Sequence, residues 1–259
     1  MAVSARPVAL VTGAGGGLGG AIARALAARG FDLVLNDLVV SDGLTALIEA
    51  VAAHGARAVP VLADIADDTS RAGFVDAAFA TFGRLDCLVN NAGVSVLSRG
   101  DILDVSPESF DRCISVNLRA QFFLTQAVAR RMLAEPERGK RRSVITVTTV
   151  AVDHHVGKVL AEYCIAKAGL AHAHQHFAVR LAPEGIDCYE IRPGMMKTDM
   201  TATTREKYDA LIASGFVPAG RWGDIAEIGQ AAAAMADGAL SYAVGQTVHI
   251  DGGMRFKVF

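Results

Sequence analysis

The chain has 259 residues, of which 52% are hydrophobic and 20% are charged, and its formal net charge is −2. This composition is typical of a globular protein with enough chain for one large core, and nothing in the net charge favours a nucleic-acid partner. The longest apolar runs fall well short of the about 18 residues that a membrane-spanning helix needs, so we expect no membrane partner.

The cysteines and the N-terminal segment indicate the compartment. Cys87, Cys113, Cys164 and Cys188 show no close-pair spacing, which favours reduced thiols over a disulfide framework. The early apolar run "VALVT" is short and leads directly into glycines, so it reads as a strand rather than a signal peptide. We therefore expect a cytoplasmic protein.

Short runs rich in β-branched residues and leucine alternate with longer segments of helical periodicity. The predicted strands are 8–12, 32–36, 57–62, 85–90, 143–148, 187–191 and 247–250. The predicted helices are 18–29, 42–54, 68–82, 107–133, 160–181 and 224–235. This alternation, with strands apolar throughout, predicts an α/β fold: a doubly wound parallel sheet with helices on both faces, formed by one domain over 1–259.

The first predicted strand ends in the glycine-rich sequence "TGAGGGLGG". Between a strand and a helix, such a turn lets the backbone approach a pyrophosphate at the helix N-terminus. Gly13, Gly17, Leu18 and Gly19 are therefore candidate residues for binding a dinucleotide.

The second predicted strand ends near Asp37, which follows Gly13 at roughly the ~20-residue spacing of the acidic residue that binds a ribose. A carboxylate there accepts hydrogen bonds from a 2′-hydroxyl and repels a 2′-phosphate. No basic residue stands in the glycine loop, and Leu38 follows Asp37. The sequence therefore favours NAD over NADP.

Two further strand ends belong to the same edge of the predicted sheet. Asp64 and Ile65 follow the third strand, where an adenine ring could rest. Asn91, Ala92 and Gly93 follow the fourth strand and are amide-bearing or small, which suits close packing against a cofactor.

Tyr163 and Lys167 lie four residues apart in a predicted helix and hence on one face. A phenol with a pKa near ~10 is a poor acid or base at neutral pH, and a nearby ammonium lowers that pKa. The pair follows the fifth strand of a dinucleotide fold, which favours general acid–base catalysis by Tyr163.

These motifs together resemble the short-chain dehydrogenase/reductase family over nearly the whole chain. The matching residues are Thr12, Gly13, Gly17 and Gly19, "NNAG" at 90–93, Asn117 in "VNL", Tyr163, Lys167, Pro193 and Gly194 in "RPG", Thr198, and "DGG" at 251–253. The resemblance implies a seven-stranded Rossmann fold, a nicotinamide cofactor, hydride transfer at a carbonyl or alcohol carbon, and a homotetramer.

The resemblance also implies roles for individual residues. Tyr163 becomes the general acid/base, and Lys167 holds the nicotinamide ribose and depresses the tyrosine pKa. Asn117 sits in a kinked helix and holds a water that joins Lys167 to solvent. Thr198 bonds the carboxamide, with the amide of Met196 or Lys197 nearby.

One catalytic position departs from the family pattern. A serine commonly stands thirteen residues before the tyrosine, where this chain has Val150. The adjacent threonines Thr148 and Thr149 align with the family's serine pair if the following loop is one residue longer. A threonine hydroxyl can serve the same role, and we assign it to Thr149, with Thr148 as the alternative.

The substrate side is predicted from two segments. The loop after the fifth strand carries His154 and His155, which either line the pocket or face solvent. The segment 195–221 is longer than an ordinary connection and predicts a helical excursion that could act as a lid. Its apolar side chains are candidates for the substrate wall or for ordinary core: Met195, Met196, Met200, Tyr208 and Phe216. Trp222 is expected to pack against the next helix.

Two other patterns receive a structural interpretation. His172 and His176 have the i,i+4 spacing of metal ligands, but no third ligand is evident, so we expect no metal. The basic stretch from Arg130 to Arg142 is either a solvated loop or a docking patch for an acidic partner.

The sequence thus predicts an NAD-dependent enzyme that oxidises a secondary alcohol or reduces a ketone, with a sugar, polyol or other small hydroxy compound as substrate. The alternative enzyme is a 3-oxoacyl-[acyl-carrier-protein] reductase, although Asp37 disfavours the NADPH which that reaction usually uses. A non-enzymatic NAD(H) sensor and a Rossmann-type methyltransferase are rival classes, and the Tyr163–Lys167 pair argues against both.

Overall fold

The computed structural model describes residues 3–135 and 141–256. Seven strands form one sheet: β1 (Val8–Thr12), β2 (Asp32–Asn36), β3 (Ala58–Pro60), β4 (Cys87–Asn90), β5 (Arg142–Val147), β6 (Ile186–Pro193) and β7 (Thr247–Ile250). Their order is β3-β2-β1-β4-β5-β6-β7, and every neighbouring pair is parallel. The predicted doubly wound parallel sheet is confirmed.

Eight α-helices connect or flank these strands within the described residues. They are α1 (Gly17–Ala28), α2 (Asp42–Ala52), α3 (Arg71–Phe82), α4 (Pro107–Ile114), α5 (Gln121–Ala134), α6 (Ala161–Leu181), α7 (Arg205–Ala213) and α8 (Ile225–Ala236). Local sequence defines several ends: the Ser41 hydroxyl accepts from the amide of Leu44 at the start of α2, and Gly83 ends α3 in the left-handed region at φ 69°.

Each face of the sheet has its own hydrophobic layer. On one face β1 and β2 pack under α1, α2 and α8 through residues such as Ile22, Leu47 and Ile228. On the other face the strands pack under α3, α5 and α6 through residues such as Phe79 and Leu124. Continuous apolar strands are what a sheet covered on both sides requires.

The strand order reverses between β1 and β4, which lie side by side at the centre of the sheet. In open α/β sheets this reversal leaves a crevice beyond the carboxyl ends of the strands, where ligands bind. The loops that carry the predicted motifs all start from this edge.

The helical segment predicted over 107–133 is present, but it is not a uniform α-helix. The structure divides it into α4 and α5 with a π-helical turn at Ser115–Ala120, which contains Asn117. A π turn widens the backbone hydrogen-bonding pattern by one residue and is common at functional sites. The apolar periodicity hides it, because the residues on both sides keep helical spacing.

The helical excursion predicted within 195–221 is present as a 3₁₀ segment (Asp199–Thr204) followed by α7.

In the part of the chain that the structure describes, no helix combines the length and hydropathy that crossing a membrane requires. The third strand is shorter than predicted, and the sixth extends further, to Pro193.

Candidate active site

The glycine loop joins β1 to α1 in a conformation that requires glycine. Gly13 and Gly17 have φ of 63° and 51°, in the left-handed region that side chains disfavour. A Cβ added at Gly19 would lie 2.1 Å from the Gly13 carbonyl oxygen, so only glycine allows the helix to start so close to the loop. The loop therefore presents backbone, at the N-terminus of α1, to the crevice.

Asp37 is held against this loop at the end of β2. One carboxylate oxygen accepts from the Gly15 amide at 2.7 Å, and the other accepts from the Leu38 amide at 2.8 Å. The sequence did not reveal the first contact, by which Asp37 also braces the glycine loop.

The end of β4 is tied to the end of β1. The Thr12 hydroxyl accepts from the amides of Asn91 and Ala92, and the Asn91 side-chain amide donates to the carbonyls of Thr12 and Gly13. These bonds fix the two strand ends between which the crevice opens.

The crevice is a cleft of about 640 Å³ along the carboxyl edge of the sheet. Most of the predicted site residues line it: Gly13, Gly17, Leu18, Asn91, Ala92, Gly93, Thr148, Thr149, His154, His155, Tyr163, Lys167, Pro193, Gly194, Met195, Met196, Thr198 and Met200. Gly19, Asp37, Asp64, Ile65 and Asn117 lie outside its lining.

Asp64 and Ile65 have local structural contacts. The Asp64 carboxylate accepts from the Ala66 amide, and the Ile65 side chain is buried in the hydrophobic layer with Val34 and Phe74. The place of Asp64 and Ile65 beside an adenine ring stays a prediction.

Tyr163 and Lys167 lie one turn apart in α6 and both face the cleft. The Lys167 ammonium is buried and donates to the Val147 carbonyl at 2.9 Å. Burial, opposed by the negative charge of Glu190, lowers the pKa of Lys167 to about 8.

The pKa of Tyr163 moves in the opposite direction from the sequence expectation. Burial and the neighbouring Cys164 thiol raise the pKa of Tyr163 to about 12, and a hydrogen bond with the Thr149 side chain opposes the rise. Removing water from the phenolate outweighs the favourable contacts in this structure.

The two threonines point in different directions. The Thr149 side chain lines the same cleft as Tyr163, and its hydroxyl accepts from the Ala151 amide at 3.2 Å. Thr148 is 4% exposed, and its hydroxyl donates to the Glu190 carboxylate beneath the cleft. Of the two hydroxyls, that of Thr149 acts on the pKa of Tyr163.

Asn117 lies behind the cleft, in the π turn. It is fully buried; its amide donates to the Val94 carbonyl at 2.9 Å and its carbonyl accepts from the Val94 amide at 2.8 Å. A Cβ placed on Gly93 would lie 2.9 Å from the Asn117 oxygen and 3.7 Å from the Lys167 nitrogen. Gly93 thus leaves the space that these two side chains share.

The far end of the cleft has an apolar wall and a polar rim. Met195, Met200, Tyr208, Leu211 and Phe216 contribute from the excursion, and Trp222 packs on Tyr208 outside the cleft. His154 and His155 line the cleft opposite, His154 with Nδ1 3.2 Å from the Val150 carbonyl oxygen.

Sequence reasoning missed five polar residues in the lining: Ser95, Arg99, Asp199, Thr201 and Lys207. Arg99 and Lys207 are exposed and form no ion pair or side-chain hydrogen bond within 3–135 and 141–256. Single polar residues outside any motif carry no sequence signal.

A network of charged side chains lies under the loop between β5 and α6, and the sequence analysis did not predict it. The Arg192 guanidinium binds Glu190 on one side and the carboxylate of Asp153 on the other. Asp153 also contacts His249 Nε2 at 3.1 Å. Because Asp153 immediately precedes His154, the network anchors the loop that lines the cleft.

The alternating histidines of α6 do not converge. His172 and His176 are exposed with their Nε2 atoms 3.3 Å apart, whereas His174 is buried. Within the described ranges, no group of three or more His, Cys, Asp or Glu side chains is arranged to hold a metal ion.

The basic stretch is partly neutralised. Arg131 pairs with Asp76 and Glu135, and Arg141 pairs with Asp187. Residues 136–140 of this stretch lie outside the described residues.

Fold, glycine loop and Tyr–Lys pair together define a dinucleotide-dependent oxidoreductase. A family model described as enoyl-(acyl carrier protein) reductase matches residues 13–255. The chain is 35% identical to the 3-oxoacyl-[acyl-carrier-protein] reductase of Escherichia coli (strain K12), covering 95% of this chain and 96% of that one. It is 32% identical to the 2-dehydro-3-deoxy-D-gluconate 5-dehydrogenase of Dickeya dadantii (strain 3937), covering 95% and 94%.

A solved structure is also similar to this chain over nearly its whole length. It is described as a 3-oxoacyl-[acyl-carrier protein] reductase from Brucella melitensis in complex with NAD; it is 43% identical, covers 97% of this chain and 98% of that one, and superposes with a TM-score of 0.93. The chain belongs to the short-chain dehydrogenase/reductase family, and it is an oxidoreductase that acts on CH–OH groups.

Proposed function

We propose that the protein is an NAD-dependent oxidoreductase for a secondary alcohol or its ketone, with Tyr163 as general acid/base. The convergence of Tyr163, Thr149 and Lys167 in one cleft beside the glycine loop carries this proposal. When bound, the nicotinamide supplies the hydride acceptor or donor. The left-handed glycines and the open N-terminus of α1 suit such a dinucleotide.

The side chains divide the work of proton transfer. In oxidation, Tyr163 takes the hydroxyl proton of the substrate, and in reduction it returns a proton to the carbonyl oxygen. Thr149 donates a hydrogen bond to that oxygen as negative charge develops on it. Lys167 would hold the nicotinamide ribose, and Asn117 positions the backbone of Val94 behind them.

The preference for NAD rests on Asp37. Its carboxylate is fixed beside the glycine loop by the Gly15 amide, so it cannot turn away from a 2′-phosphate without giving up that bond. The Brucella melitensis structure is described as an NAD complex, which supports the same choice.

For the substrate, we favour a sugar, polyol or other small hydroxy compound. His154 and His155 offer polar contacts for additional hydroxyl groups, and the Dickeya dadantii relative is named as a dehydrogenase of a sugar acid. Imidazole nitrogens can donate or accept hydrogen bonds to such groups.

A specific observation favours the second candidate, a 3-oxoacyl-[acyl-carrier-protein] reductase. The excursion builds an apolar wall that fits an acyl chain, and two of the similar proteins carry this name. In the described part of the basic stretch, Arg131 and Arg141 form ion pairs with carboxylates of the same chain, which weakens its interpretation as a docking patch for an acidic carrier.

One screen separates these candidates. Initial rates at 340 nm are measured for sugars, polyols, simple secondary alcohols and a 3-oxoacyl thioester, each with NAD(H) and with NADP(H). A polyol or sugar oxidised with NAD supports the first candidate, and efficient thioester reduction supports the second. A strong preference for NADP(H) contradicts the role of Asp37.

The homotetramer implied by the family resemblance is part of the proposal. Exposed apolar side chains on α6 and α4, including Ile165, Val179 and Phe110, are available for subunit contacts. Light scattering coupled to size exclusion measures the mass directly, and a monomer contradicts the expectation.

A further inference from the structure

A fully buried carboxylate, that of Glu190, lies directly beneath Thr148 and Thr149. Glu190, in β6, is 0% exposed. Its Oε1 accepts from the Thr148 hydroxyl and from Arg192 Nε at 2.8 Å, and its Oε2 accepts from Arg192 Nη2 at 3.0 Å and the Thr247 hydroxyl at 2.7 Å. Both oxygens are thus fully used by residues on three adjacent strands or strand ends.

Such a group is costly to bury. Removing a carboxylate from water costs several kcal/mol, and a partner recovers this only with good geometry. Burial would raise the pKa of Glu190, but the hydrogen bonds from Arg192, Thr148 and Thr247 outweigh it and hold that pKa below its ordinary value. Glu190 is therefore a permanent negative charge in the sheet at neutral pH.

The geometry links this charge to the position of Thr149. Thr148 is anchored twice, by its backbone amide to the Ile191 carbonyl at 2.9 Å and by its hydroxyl to Glu190. Successive residues of an extended chain point to opposite sides. With Thr148 drawn down onto Glu190, the next side chain is directed upward, to Tyr163.

The same charge acts on the buried ammonium. Lys167 donates to the Val147 carbonyl, one residue before Thr148. Lys167 and the two threonines therefore lie together at the end of β5. Of the charged groups, Glu190 on β6 acts on the pKa of Lys167. Tyr163 and Thr149 line the same cleft as Lys167, and the Asn117 oxygen and the Lys167 nitrogen share the space beside Gly93. His174, further along α6, has a pKa that Glu190 and Arg192 influence.

His174 does not compensate the ammonium. Burial lowers the pKa of His174 to about 4, so its ring is neutral at pH 7. Arg192 is positive and fully engaged by Glu190 and Asp153. Glu190 is therefore the group whose negative charge opposes the lowering of the Lys167 pKa by burial.

We propose that Glu190 is a positioning residue for the reaction, which aims the Thr149 hydroxyl through Thr148 and keeps the buried Lys167 ammonium charged. This inference rests on the proposed function of the same site. Glu190 itself lies beneath the cleft and contacts neither substrate nor cofactor.

The test is the pH dependence of NADH binding in Glu190→Gln, measured by NADH fluorescence between pH 6 and 10. A dinucleotide is anionic, so its dissociation constant rises as Lys167 loses its proton. Without the nearby negative charge this alkaline rise should begin about one pH unit or more lower. In addition, kcat at pH 7 should fall about tenfold with little change in KM, because the hydroxyl is less well aimed.

Thr247→Val is the matched control. It removes one hydrogen bond from the same carboxylate but leaves the charge in place, so the alkaline rise should stay at its original pH. Glu190→Asp restores the charge and should return the rise toward that of the unaltered protein. If Glu190→Gln and Thr247→Val behave alike, the electrostatic role is wrong.

A second variant guards against misfolding. Glu190→Gln leaves Arg192 without its carboxylate, whereas the double substitution Glu190→Leu with Arg192→Met removes the ion pair as a unit, which is often tolerated. The double variant removes one negative and one positive charge together, so it should lower the pH of the NADH transition less than Glu190→Gln does. A folded double variant whose transition lies as low as that of Glu190→Gln, or lower, overturns the proposal.

The unaltered protein separates this inference from the function on which it rests. If it fails to bind NADH or to turn over any alcohol or ketone, the proposed function fails first. If it binds and turns over but Glu190→Gln is indistinguishable from it in transition pH and kcat, the inference about Glu190 fails alone.

Discussion

The two ends of the cleft are built by different means. At the cofactor end, the backbone of the glycine loop and the N-terminus of α1 form the surface. The Asn91 side-chain amide holds this backbone in place by donating to the carbonyls of Thr12 and Gly13. At the substrate end, side chains from the β5–α6 loop and the excursion form the surface, and several of them are exposed. A backbone site is fixed by glycines and tolerates little change, whereas a side-chain site is open to variation.

The largest effect is expected at the junction of these two ends. Tyr163→Phe removes the hydroxyl that transfers the proton, so kcat should fall by about 10³-fold, within the range for losing a general acid/base. NADH affinity should be nearly unchanged, since the glycine loop is untouched. Steady-state rates and NADH fluorescence measure both quantities, and retained turnover contradicts the mechanism.

The next effect distinguishes the adjacent threonines. Thr149→Val should lower kcat by about 10²-fold, as for the loss of one preorganised donor. Thr148→Val removes the anchor on Glu190 and should lower kcat about tenfold, as Glu190→Gln does. The same substitution at neighbouring positions is its own control, and a reversed ranking moves the catalytic role to Thr148.

The cofactor end should respond through its backbone. Gly19→Ala places a methyl group against the Gly13 carbonyl, so the loop must shift, with a loss of about 1–3 kcal/mol of stability and weaker NADH binding. Gly73→Ala, in α3 with nothing within 4 Å, should instead be neutral or stabilising by up to about 1 kcal/mol. Urea unfolding of both variants makes the comparison; equal losses refute the close approach at Gly19.

The smallest effect concerns selectivity. Asp37→Asn keeps an oxygen that can accept from the Gly15 amide but removes the charge that repels a 2′-phosphate. The ratio of NADPH to NADH dissociation constants should fall about tenfold, mainly through better NADPH binding. An unchanged ratio means that Asp37 acts as a brace for the loop and not as a selectivity element.

The difference between the two ends also decides what the sequence could predict. Gly13, Gly17 and Asp37 follow from local requirements, namely a left-handed backbone and an acidic group at a strand end. The partners of Glu190 do not, because Thr148 and Thr247 meet it only after β6 is placed between β5 and β7. Local pattern specifies conformation, and long-range pairing requires the sheet order.

The same reasoning explains what the sequence pattern did not predict. The helical spacing continues through the π turn, so the change from α4 to α5 leaves no mark on the periodicity. The burial of Ile65 beneath α3 depends on tertiary packing, which the sequence around Ile65 does not specify.

The π turn also changes the rotation of α5 about the helix axis relative to α4. An α-helix advances about 100° per residue, so the additional residue in Ser115–Ala120 turns α5 relative to α4. That offset lets α4 pack on α6 while α5 presents its apolar face to β4 and α3. Deleting one residue of the turn other than Asn117 should convert it to regular α-helix and move the Asn117 side chain relative to Val94, so the site depends on the number of residues in the turn as well as on their identity.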